Sequence, residues 1–146
     1  MRYFFGLSLP KTGFLRNSFA LLIGVAGAMT LPPWHFIFLL IPAFSGLYRL
    51  ARGAISAKRA FFDGWLFGIG YYGASLYWIG SAFLVEAEIY GWMAPIAIVT
   101  MSSGLAVFSG LHVWAFRGLF KRLGHQLFLG LASFALIWSA WEWVRS

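Results

Sequence analysis

The chain has 146 residues, of which 61% are hydrophobic, 21% aromatic and 10% charged, whereas soluble domains carry about 25% charged residues. That balance excludes an ordinary water-soluble core. The formal charge of +7 sits in short Lys and Arg clusters between apolar runs, which reads as topogenic charge beside anionic lipid and not as a nucleic-acid-binding face. Cysteine is absent, so disulfides, thiolate metal sites and a cysteine nucleophile are excluded within this chain.

Residues 1–16 mix aromatics with Arg2, Lys11 and Arg16 and contain Pro10 and Gly13, an irregular or interfacial segment. These charges precede an apolar run reaching Ala26-Gly27-Ala28, a small-x-small pattern of the kind signal peptidases cut, yet the run serves equally as an uncleaved first helix. The first span is expected over 17–31, with Arg16 snorkelling its guanidinium to the interface. Pro32 and Pro33 then force a turn, and Trp34 suits headgroup level. A second span is expected over 35–48, where Pro42 implies a kink whose freed carbonyl needs a neighbouring helix or Ser45.

Arg49, Arg52, Lys58 and Arg59 form the densest basic cluster. The following stretch from Arg59 to Phe83 carries no charge beyond Asp63, which gives a third span over 61–83. Glu86 and Glu88 occupy the next loop, a fourth span is expected over 92–116, and a fifth over 123–144. With the N-terminus inside, ten of the eleven Lys and Arg fall on the cytoplasmic side and only Arg145 outside. Hydropathy and the positive-inside asymmetry therefore agree on one all-α integral membrane domain over 1–146, about five transmembrane helices in an antiparallel bundle.

Gly68, Gly70 and Gly73 match G-x-G-x-x-G, but a dinucleotide turn needs a preceding strand and a helix N-terminus facing water. Gly64 and Gly68 are four apart on one helix face, which suits close helix contact. Asp63 follows Arg59 by one turn and reads as a structural pair in preference to a proton relay. His112, near Trp114 and Arg117, reads as interfacial. Glu86, Glu88 and His35 lack metal-ligand spacing, so no metal or cofactor is expected. Glu142 lies between Trp141 and Trp143, three residues before Arg145, an interfacial anchor with a local ion pair.

Leu31-Pro32-Pro33-Trp34, then Phe62-Asp63-Gly64-Trp65-Leu66-Phe67-Gly68-Ile69-Gly70 leading to Leu76-Tyr77-Trp78-Ile79, and finally Trp141-Glu142-Trp143-Val144-Arg145 together resemble the N-terminal membrane region of bacterial apolipoprotein N-acyltransferase. The resemblance implies an inner-membrane enzyme that moves an acyl chain from phospholipid to the N-terminal amine of a diacylated lipoprotein. In that family the chemistry runs through a cysteine thioester in a periplasmic nitrilase-like domain with a Glu, Lys and Cys set. A chain without cysteine cannot form that thioester, so no catalytic residue carries over. The expected role is a membrane-domain fragment that anchors and positions, with phospholipid and diacylated lipoprotein as partners and Trp34, Tyr77, Trp78 and Trp92 along the lipid approach. The rivals are a small polytopic transporter or channel subunit and a non-catalytic membrane scaffold; the former would need charges lining a path through the spans.

Overall fold

A computed structural model describes residues 13–80, 88, 91–123 and 127–145. Five long helices, and no strand, make up these described residues: α1 (Phe14–Ala28), α2 (Leu40–Arg52), α3 (Ala57–Ser75), α4 (Met93–Leu123) and α5 (Leu127–Arg145), with a short 3-10 turn at Ile37–Leu39 before α2. Gly13 precedes α1 at φ 103°, a conformation that glycine adopts without a Cβ penalty. Ser56 starts α3, its hydroxyl accepting from the Arg59 backbone N–H at 3.0 Å.

Several helix limits differ from those expected. The turn after α1 extends through Phe36, whose N–H donates to the Met29 carbonyl at 3.0 Å, so α2 begins five residues later than 35. Pro42 consequently falls in the first turn of α2, where its missing N–H removes no interior helical bond and no kink is required. Likewise α3 stops at Ser75, and Tyr77 and Trp78 lie in the turn that follows it instead of in a helix running to 83. The loop positions Glu86, Arg2 and Lys11, and the side chains of Trp141, Glu142 and Arg145, lie outside the described residues.

α3 packs most extensively, against α4 on one side and α1 on the other. Small residues allow this. A Cβ on Gly64 would lie 2.5 Å from the Ser109 carbonyl oxygen and one on Gly68 2.7 Å from the Ala106 Cα, so both glycines abut α4. Gly70 points the other way, where a Cβ would run into the Leu21 carbonyl of α1, while Gly24 of α1 meets the Phe67 carbonyl of α3. The G-x-G-x-x-G run is thus split between two helix interfaces inside a continuous helix, with no strand before it.

Side chains from all five helices share one core, including Ile23, Leu47, Phe67, Val113, Phe116 and Phe134. Phe44 of α2 meets Trp138 of α5 edge to face at 4.8 Å, and Tyr48 meets Phe134 at 5.6 Å. The exterior carries many large apolar side chains. Phe14, Ile37, Ile41 and Leu136 are each at least 70% exposed, whereas Arg16, Asp63, Ser102, Ser109 and His112 are buried. Among the described residues one helical stretch, Met93–Lys121, is long and apolar enough by itself to cross a membrane, with mean hydropathy 1.7.

Candidate functional site

The most ordered polar constellation lies where α1 begins, α2 ends and α3 begins. Asp63, fully buried, accepts from Arg16 through Nε at 3.0 Å and Nη2 at 2.7 Å, and pairs on its other oxygen with Arg59 Nη2 at 2.7 Å. Arg16 Nη2 also donates to the Leu50 carbonyl at 2.9 Å. Leu50 stands in the last turn of α2, where carbonyls have no intrahelical donor, so a side chain from α1 satisfies the end of α2. Arg59 Nη2 donates to Asn17 Oδ1 at 2.6 Å, and its guanidinium lies 5.5 Å from the Phe62 ring centre.

Three helices are therefore tied by two arginines and one carboxylate. The i,i+4 pair of Arg59 and Asp63 is present, but Arg16 is buried against Asp63 and does not snorkel to an interface. The physical reason is the carboxylate. Once Asp63 is turned into the bundle, a second cation and a planar fork compensate its loss of water better than Arg59 alone would. Sequence reasoning missed the contact because 47 positions separate the partners; the available signal was two charges beside apolar runs that share one side in the loop-charge assignment.

His112 is also placed differently from the interfacial position expected for it. It is 1% exposed, with its ring 4.5 Å from Phe134 and 5.0 Å from Trp138, both edge to face. Neither ring nitrogen has a hydrogen-bond partner among the described residues. Among the described residues no three His, Cys, Asp or Glu side chains gather as a metal site. His35 and Glu88 are exposed.

Of the aromatic residues read as a lipid approach, the structure joins Trp34 and Tyr77, whose rings meet edge to face at 6.1 Å. Trp34 belongs to the turn after α1 and Tyr77 to the turn after α3, so this contact closes the end of the bundle opposite the Arg16–Asp63 cluster. Trp78 and Trp92 are 61% and 67% exposed, and Trp92 lies just before α4.

A charge-paired interior, many exposed apolar side chains and glycine-mediated helix contacts define a helical-bundle domain. Comparison with known proteins gives the family. The apolipoprotein N-acyltransferase N-terminal domain pattern matches residues 23–146, and the chain belongs to that family. It is 37% identical over 129 residues to an apolipoprotein N-acyltransferase of Caulobacter vibrioides, covering 86% of this chain and 23% of the relative. A relative of the same name from Allorhizobium ampelinum is 37% identical over 144 residues, 92% of this chain and 26% of its own length. Another, from Brucella melitensis, is 32% identical over 151 residues, 97% and 27% respectively. The chain spans about a quarter of the length of these curated relatives.

Proposed function

We infer that this chain is the membrane-embedded N-terminal domain of an enzyme that transfers an acyl chain from phospholipid to the N-terminal amine of a diacylated lipoprotein. The observation that carries the reading is the family match over residues 23–146. In this reading the bundle sits in the bacterial inner membrane as five antiparallel helices with the N-terminus in the cytoplasm. It anchors the enzyme and orients lipid; the thioester chemistry belongs to a cysteine-bearing domain, because this chain has no cysteine.

The packing supports the antiparallel arrangement. Gly64, Gly68 and Gly73 of α3 face Ser109, Ala106 and Ser102 of α4, so the partner number falls as the α3 number rises. The same opposition relates Phe44 and Tyr48 to Trp138 and Phe134. By contrast α1 and α3 rise together, Arg16 with Asp63 and Gly24 with Phe67, as alternate members of an up-down bundle should. Exposed apolar side chains around buried polar ones support a lipid surrounding, and helices as short as α1 and α2 are accommodated by local bilayer thinning.

Anchoring has a chemical consequence. Both substrates are held in a bilayer, so fixing a catalytic domain at headgroup level replaces a three-dimensional search by a confined one and raises effective concentration. Trp34, Tyr77, Trp78 and Trp92 line the approach on that side. The test replaces the corresponding quarter of the Caulobacter vibrioides relative with this chain and follows N-acylation of a lipoprotein by mass spectrometry of its N-terminus. The chimera is expected to acylate and the chain alone to give none; a stable, membrane-inserted chimera without activity would count against the assignment.

A further inference from the structure

The bundle end that carries the Arg16–Asp63 cluster has a second feature, on the outer face of α3 and α4. Two adjoining grooves there share Ala57 and Trp114. One, of about 480 Å³, is bordered by Arg117 and Lys121; the other, of about 320 Å³, by Lys58, Phe61 and Leu111. Arg117 and Lys121 are one helical turn apart on α4 and so share a face, and Lys58 approaches from the first turn of α3. Among the described residues none of these three cations has a carboxylate within ion-pairing distance. Trp114, half exposed, forms the wall common to both grooves.

We propose that this joint groove binds one anionic phospholipid, with its phosphate among Lys58, Arg117 and Lys121 and an acyl chain against Phe61, Leu111 and Trp114. Charge complementarity selects the occupant. Three cations at one end of an apolar cleft match a ligand with a negative head and a hydrocarbon tail, and basic pockets between membrane helices on the cytoplasmic side are suited to such headgroups. Both lysines and the arginine can reach headgroup level while their stems remain along apolar surface. A neutral lipid leaves these charges without a partner; a soluble anion leaves the Phe61–Leu111–Trp114 wall uncovered.

The site lies at the end opposite Trp34 and Tyr77, so it is separate from the approach proposed for acyl transfer. Its role is to fix the bundle in the cytoplasmic leaflet, and it rests on the membrane reading above. The experiment is native mass spectrometry of the intact chain released from detergent micelles, titrated with phosphatidylglycerol or phosphatidylcholine. Phosphatidylglycerol adducts are expected at concentrations lower by at least about tenfold, an advantage that K58Q/R117Q/K121Q removes. A57F, which fills the shared part of the groove without altering charge, should also remove it, whereas R49Q/R52Q, at cations that border neither groove, should not.

Equal retention of the two lipids by the parent chain would overturn the proposal, as would an equal loss in R49Q/R52Q, which signifies general attraction to net charge. Displacement of phosphatidylglycerol by excess inorganic phosphate would also overturn it, by reducing the site to an anion site without a tail groove. Failure of the membrane reading has a different signature: the chain would be recovered from the aqueous phase of cell lysates and carry neither lipid. Normal membrane recovery of each variant, with an unchanged helical circular dichroism spectrum, separates lost binding from lost folding.

Discussion

Asp63 is held by two arginines of unequal burial, Arg16 at 1% and Arg59 at 14% exposure, and that inequality decides what each substitution does. Removing Asp63 takes the carboxylate away from the buried Arg16 guanidinium, while the Leu50 carbonyl that it also meets is neutral. Removing Arg16 leaves Asp63 paired with Arg59. Breaking a buried pair from one side costs about 3–5 kcal/mol. D63L is therefore expected to destabilise by about that amount and R16M by less, while R16M/D63L should cost clearly less than their sum because the fully buried Arg16 charge is removed together with its carboxylate, leaving only the more exposed Arg59 to lose its partner. Thermal unfolding of the three variants in one detergent checks the order; additive losses would mean that the pair is not coupled as its geometry requires.

At the scale of helices, the glycines of α3 separate two readings of the same motif. A Cβ on Gly70 collides with a backbone carbonyl of α1, which cannot swing away as a side-chain end can, whereas one on Gly73 has Ser102 Oγ as its nearest neighbour at 3.7 Å. G70A should accordingly force α1 and α3 apart and lower the melting temperature, and G73A should be neutral or stabilising by up to about 1 kcal/mol through helix propensity. Comparable damage from both would contradict this division of the motif between interfaces. Much of this level was legible in the sequence: apolar runs gave the helices, and the four-residue spacing of Gly64 and Gly68 pointed to a packing face. What was not legible depends on long-range partners. Nothing local distinguishes an Arg16 that snorkels from one that meets a carboxylate in α3, or an interfacial His112 from one enclosed by α5 aromatics, because burial is set by helices that arrive later in the chain. Helix ends were misjudged where turn hydrogen bonds override hydropathy, as at Phe36 and Ser75.

For the whole molecule, the distribution of positive charge and the sense of helix packing bear on orientation independently. Arg49, Arg52, Lys58, Arg59, Arg117 and Lys121 all lie at helix ends that the contacts bring to one side: α2 finishes there, α3 starts there and α4 finishes there. Their placement at one end of the bundle is a three-dimensional regularity that a charge count along the sequence anticipates without knowledge of the contacts. Since Lys and Arg flanking membrane helices are retained in the cytoplasm, the membrane reading proposed above puts that side inward and the Trp34–Tyr77 end outward. Alkaline phosphatase, which is active only after export, should then be active when fused after Gly91 and inactive when fused after Arg122. The reverse pattern would invert the bundle. It would also carry the basic groove of α3 and α4 to the outer leaflet and place Trp34 and Tyr77 on the wrong side for acyl transfer to exported lipoproteins, so this one measurement bears on both proposals together.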